Sequence, residues 1–188
     1  MDNNVWSIEN LREVALNQHG FVTSAQAIDA GVTKSTLSKL VSRGRLERAA
    51  HGIYRVPQVP FTQYGPLMLA VLWTGVPEAA LSHETALDLY EVSDINPTQI
   101  FVTVAKSRRI RRQGQEKYQL YYQDLLPSQI SWRELIPTVT LATAVEQCID
   151  TGVPTYLLRQ AIENGSRQGL IPPSKIDDLQ QRLKERNG

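Results

Sequence analysis

Cysteine is almost missing from this chain: Cys148 is the single thiol among 188 residues. One thiol excludes an internal disulfide and any site built from several cysteines, and it suits a reducing compartment, so a cytoplasmic location is expected. Histidine is scarce too. His19, His51 and His83 are scattered, and no close group of His, Cys and acidic residues marks a metal site, so neither metal nor cofactor is expected. The longest strongly apolar run, Pro66–Trp73, falls far short of the roughly 20 residues a membrane-spanning helix needs. The chain opens without a basic segment leading into an apolar core, so no secretory signal is expected.

Catalytic signatures are also lacking. His83-Glu84 begins like the HExxH helix of a zinc enzyme, but Leu87 stands where the second histidine belongs. There is no Gly-rich phosphate loop and no GxSxG turn. Cys148 shares an apolar helical face with Val145 and Ile149 and reads as core. The lysine after QIFVTVA has no neighbouring carboxylates to hold the Mg²⁺ of a nuclease. No catalytic residue is predicted.

What is present is charge, unevenly placed. The overall balance of +1 averages unlike segments. Between Thr33 and Arg55 stand Lys34, Lys39, Arg43, Arg45, Arg48 and Arg55 against Glu47 alone, a local excess of +5. Residues 56–104 carry no Lys or Arg but hold Glu78, Glu84, Asp88, Glu91 and Asp94. A second basic island follows, with Lys106, Arg108, Arg109, Arg111, Arg112 and Lys117 against Glu116. Segregation of this kind points to a polyanionic partner more directly than net charge does.

The first island coincides with a recognisable order of elements. Ile8, Leu11 and Ala15, with Val14 beside them, predict a helix over about 4–19, Ser7 as its N-cap and Gly20 at its end. Thr23 or Ser24 caps a short second helix with Ala25, Ala27 and Ile28 turned inward. Gly31 supplies the left-handed residue of a tight turn, Val32 plugs the space between helices, and Thr33 caps a third helix ending at Gly44. Leu46–Arg48 and Ile53–Val56 then pair as a hairpin around Ala49–Gly52. Helix, glycine turn, helix and basic hairpin in this order predict a winged helix-turn-helix.

Leu37, Leu40 and Val41 must face the core of the third helix. Lys34, Ser35, Thr36, Ser38, Lys39, Ser42 and Arg43 are left to meet DNA, with Arg45 and Arg48 along the wing and His51 at its tip. Short hydroxyl side chains permit close approach to a groove, while the cations serve phosphates. Two other readings stay open: a polar helix face that is only solvated, and a winged helix that binds protein.

Beyond this, Val56–Pro60 reads as a linker dividing a domain over 1–57 from one over 58–188. Pro66 opens and Gly75 closes an apolar helix, and Ser82–Tyr90 is a further one. Strands are predicted at Gln99–Ala105 and Tyr118–Tyr122, and helices at Leu141–Asp150, 154–168 and 172–184, the last with Ile176, Leu179 and Leu183 on one face. The fold class is α+β, with a mixed α/β second domain. Lys106, Arg108, Arg109, Arg111 and Arg112 lie between the two strands as a candidate second basic surface. They either meet a polyanion, or solubilise the loop and pair with the acids at Glu78–Asp94.

The stretch GFVTSAQAIDAGVTKSTLSKLVSRGRLERAAHGIYRV resembles the N-terminal winged helix of AbiEi-type antitoxins of type IV toxin–antitoxin systems. LSHETALDLYEVSDINPTQIFVTV, an Arg-rich loop and PTVTLATAVEQCIDTGVP follow in that family's order, so the resemblance runs from about Leu11 to Gly169. It implies a repressor that binds inverted repeats of double-stranded DNA in its own promoter. It also implies a second domain that counteracts a nucleotidyltransferase-like toxin encoded nearby. The alternative is a stand-alone winged-helix regulator or interaction module without a toxin.

Overall fold

The computed structural model describes residues 3–112 and 114–187, and the chain divides into two compact units, Met1–Val76 and Pro77–Gly188. The first unit opens with helix α1 (Asn3–Leu16). It begins before Ser7, which therefore lies inside the helix rather than capping it. Ile8, Leu11 and Ala15 are buried on one face, as their spacing predicts. Strand β1 (Phe21–Thr23) follows, an element the sequence did not announce.

Thr23 closes a capping box on α2 (Ser24–Asp29). Its Oγ1 accepts the Gln26 N–H at 3.2 Å, and Gln26 Oε1 accepts the Thr23 N–H at 2.9 Å. In this short helix only Ala27 is fully buried; Ala25 is exposed and Ile28 is 45% exposed. The inward placement expected for those two is corrected. Residues advance 100° each, and six of them offer the core little more than one position. Gly31 takes φ +82, and Val32 is buried, its N–H bonded to the Ala27 carbonyl at 2.8 Å.

Helix α3 (Lys34–Ser42) is capped by Thr33 Oγ1, which accepts the Thr36 N–H at 3.2 Å. Leu37 and Leu40 are buried, each stabilising the unit by about 1.5–3 kcal/mol through burial, while Val41 is only partly covered. Strands β2 (Glu47–Ala50) and β3 (Ile53–Arg55) form the wing, joined at a His51-Gly52 turn shorter than the four residues expected. The sheet is antiparallel in the order β1-β3-β2, with a register shift between Arg48 and Ala50. Val56 and Val59 both belong to this unit's core, and α4 (Gly65–Thr74) lies in the same unit. The break between compact units thus falls after Val76, whereas position 57 is where the winged-helix sheet has just ended.

The second unit is a five-stranded mixed sheet, ordered β6-β5-β4-β8-β7. Its strands are β4 (Ala80–Leu81), β5 (Ile100–Val104), β6 (Tyr118–Tyr122), β7 (Ile130–Arg133) and β8 (Ile136–Val139). Pairing is parallel between β5 and β6 and between β4 and β8, antiparallel elsewhere. Helices α5 (His83–Leu89), α6 (Leu141–Asp150), α7 (Thr155–Arg167) and α8 (Pro173–Asn187) share one apolar core with the sheet. Leu179 and Leu183 are buried in it with Ile176 against its edge. Both units join helices and sheet, so the chain is α+β with an N-terminal winged helix.

Candidate nucleic-acid interface

With Leu37 and Leu40 turned inward, Lys34, Ser35, Ser38, Lys39 and Ser42 are exposed. At 100° per residue they span an arc of roughly 140° on one side of α3. Thr36 sits at the margin, half-buried. Arg43 and Arg45 are exposed just past the helix end, Arg48 is exposed on β2, and His51 is exposed at the wing turn. The ten residues read from the sequence therefore lie on the third helix and wing of one unit, nine of them exposed.

The hydroxyls are not idle. Ser38 Oγ donates to the Lys34 carbonyl at 3.2 Å, and Ser42 Oγ donates to the Lys39 carbonyl at 3.0 Å. A serine hydroxyl has one proton and two lone pairs. Once the proton is committed to the helix backbone, the side chain faces outward as an acceptor. Thr33 Oγ1 bonds with the hydroxyls of Ser35 at 2.9 Å and Thr36 at 3.0 Å, so the first turn carries a connected row of three hydroxyls.

Among the described residues, no ion pair engages Lys34, Lys39, Arg43, Arg45 or Arg48. Arg55 differs from them. Its guanidinium lies 4.2 Å from the Phe61 ring centroid, donates to the Val59 carbonyl at 3.2 Å and stands 3.6 Å from Glu47. That side chain is only 14% exposed. The sequence counts it in the basic block; the structure uses it to tie β3 to the segment that follows. Five cations remain open, and Glu47, the one acid of the block, faces Arg55.

The wing is held from below. The Gly52 carbonyl accepts the Ser24 N–H at 2.8 Å and the Ser24 hydroxyl at 3.3 Å, so the start of α2 grips the wing turn. Gly52 has φ +70, a conformation costly for a residue with a Cβ. Ser24 is one of the two caps the sequence offers for α2, and Thr23 takes that role; the contact with Gly52 joins residues 28 apart and leaves no local signal.

The second island behaves differently. Lys106, Arg108, Arg109 and Arg111 are exposed and Arg112 is half-buried. Arg108 is committed: its Nε and Nη2 donate to the two carboxylate oxygens of Glu78, the second at 2.8 Å. That guanidinium holds the Glu78 carboxyl below its usual range. Among the described residues, pairing with the upstream acids is thus realised at Arg108.

His83 and Cys148 belong to the second unit's interior. His83 is buried with φ +51, its ring stacked on Tyr121 at 3.7 Å between centroids. Its Nδ1 lies 2.9 Å from Ser82 Oγ, which accepts a bond from Thr103 Oγ1 at 2.8 Å. Ser82, expected as a helix cap, spends its hydroxyl there instead. Burial lowers the His83 pKa to about 4 and pushes the Cys148 thiol up, which leaves the thiol a poor nucleophile. Among the described residues, no group of three His, Cys or acidic side chains is placed to hold a metal, and no helix is long and apolar enough to cross a membrane.

Residues 9–57 match the family model described as a transcriptional regulator, AbiEi antitoxin. The span starts inside α1 and ends just past β3, so it contains all ten residues of the candidate interface. The resemblance read from the sequence is shown over this span, and the matched family is one of regulators rather than enzymes. No curated protein sequence matches the chain. Among solved structures, the RV2827C protein from Mycobacterium tuberculosis is similar at 12% identity and a TM-score of 0.44, over 94% of this chain and 81% of that one.

Proposed function

We propose that this chain is a DNA-binding transcriptional repressor of the antitoxin type that controls its own operon. The observation that carries this reading is the set of five cations on α3 and the wing that have no acidic partner among the described residues, inside the span matched by a family of regulators. In this reading α3 enters the major groove of double-stranded DNA. Lys34, Lys39 and Arg43 meet phosphates along it. Ser35, Thr36, Ser38 and Ser42 let the helix approach closely, and the lone pairs of Ser38 and Ser42 suit the amino groups of adenine or cytosine. Arg45, Arg48 and His51 reach the backbone beside the groove. Two copies on inverted repeats give the operator its symmetry.

Residues 1–57 then act as the DNA-reading domain and 58–188 as the antitoxin-like part, which counteracts a nucleotidyltransferase-like toxin in the cytoplasm without catalysis of its own. The test is fluorescence anisotropy with the DNA directly upstream of the gene, titrated with salt. If all five cations meet phosphates, log K falls with log salt at a slope of about −4.5 per protomer, and about −2.7 for Lys39→Ala with Arg43→Ala. A fourfold rise in salt then weakens binding about 500-fold in the parent and about 40-fold in the variant. Equal slopes, or no preference for this DNA over a scrambled duplex, overturn the reading.

A further inference from the structure

We infer that residues 106–111, which follow β5, form with Tyr122 a binding site for single-stranded nucleic acid. The inference is independent of duplex reading by α3 and concerns only the second unit. β5 and β6 run parallel, with Val104 opposite Tyr122, so their carboxyl ends lie side by side. The connecting loop leaves β5 at that same end. Carboxyl ends of parallel strands are where α/β sheets commonly take ligands. β6 is an edge strand, and Tyr122 at its end is 40% exposed.

Lys106, Arg108, Arg109, Ile110, Arg111 and Tyr122 line one concavity of about 430 Å³, a size within the roughly 300–1,000 Å³ of small-molecule sites. Its base is fixed at two points. Arg108 is clamped on Glu78, and the Lys106 N–H donates to Asp124 Oδ1 at 3.0 Å. Those two acids are thereby engaged. Lys106, Arg109 and Arg111 have no acidic partner among the described residues. The result is a pre-shaped cradle with three free cations and an aromatic ring on its wall.

Those two features together select the ligand. Cations alone suit any polyanion, a duplex included. A duplex keeps its base faces stacked inside, so the exposed Tyr122 ring would gain nothing from it. A single strand offers unstacked bases to an aromatic side chain while its phosphates track the cations. Ile110, half-buried in the same wall, adds apolar surface for the base or sugar.

The experiment uses the full chain with Lys34, Lys39, Arg43, Arg45 and Arg48 all changed to alanine, so that α3 and the wing contribute little. Labelled 12-nucleotide RNA and DNA single strands are titrated at several salt concentrations, with a 12-base-pair duplex, adenosine monophosphate and a poly-glutamate peptide as competitors. Single strands are expected to bind with a slope of about −2, from three phosphates at about −0.7 each. Tyr122→Ala should weaken binding about 5- to 150-fold, the range of one lost stacking contact, while Tyr122→Phe retains it. Arg109→Ala with Arg111→Ala should flatten the slope to about −0.7. Thermal melts confirm that each variant folds. The proposal is overturned if the duplex or the peptide competes as well as a single strand. It is equally overturned if Tyr122→Ala changes nothing, or if the mononucleotide alone binds.

Discussion

Replacing His83 by asparagine should flatten the acid limb of the protein's stability curve. His83 is 3% exposed, and burial lowers its pKa from 6.5 to about 4. Unfolding restores the ordinary value. Below pH 6.5 the unfolded chain therefore takes up a proton that the folded chain refuses until about pH 4. Stability tied to the neutral ring is complete above pH 6.5 and is lost as the pH falls towards 4. Over that interval, at 1.36 kcal/mol per pKa unit, the loss amounts to about 3 kcal/mol. Glu84 and Asp88 act in the opposite sense. Burial raises both pKa values, with Glu91 contributing at Asp88, so their protonation favours the folded state as the pH falls. Both carboxyls are kept in the variant, and the difference between the two proteins isolates the imidazole. Asparagine tolerates the left-handed backbone at φ +51 better than most residues, but it neither stacks on Tyr121 nor titrates. Its cost near pH 7 should be about 1–3 kcal/mol. Urea melts followed by circular dichroism at pH 7.5, 6.5, 5.5 and 4.5 give the two curves. They should converge as the pH falls; curves that stay parallel across the range refute the reasoning.

Arg48→Ala and Arg55→Ala should separate binding from folding. Arg48 is exposed and has no acidic partner among the described residues, so its loss should reduce the salt slope for operator DNA by about 0.9 and leave the melting temperature in place. Arg55 is engaged by Phe61, Glu47 and the Val59 carbonyl; its loss should cost about 1–3 kcal/mol in a denaturant melt and keep the slope. Gly165→Ala probes the packing of α7, where a Cβ would come within 2.5 Å of Leu141 Cδ2 and 3.0 Å of Ile171 Cδ1. Both neighbours are almost fully buried and have little room to yield. Overpacking of about 1–3 kcal/mol should outweigh the roughly 1 kcal/mol gained from helix propensity, and the melting temperature should fall.

The division between what was readable and what was not follows the range of the forces involved. Helix α3 was readable because its determinants lie within a few residues of each other: the Thr33 cap, Gly31 in the turn, and Leu37 and Leu40 spaced for one face. The exposed arc of the candidate interface follows from that same period, since whatever is not turned inward faces solvent. Strands β1, β4, β7 and β8 were missed. Each has four residues or fewer and is defined by partners elsewhere, as Leu81 is by Val102 and Thr138. Without a glycine turn such as the one at Gly52 that marks the equally short β2 and β3, a segment of this length has too few residues to display an alternating pattern, and its hydrogen-bonding neighbours identify it.

The amino-acid order by itself determined the winged-helix sequence of elements, the apolar face of α3 and the two concentrations of positive charge, because periodicity, capping and composition are local properties of the chain. Tertiary structure alone decided which charges remain open. Arg55 and Arg48 look alike in sequence, yet one is held between a carbonyl, an aromatic ring and Glu47 while the other has no acidic partner among the described residues. Arg108 and Arg109 are neighbours, yet Glu78, thirty positions upstream of Arg108, engages only the former. A charge becomes available to a partner only when the fold brings nothing of opposite sign within reach, and that depends on residues distant in the chain.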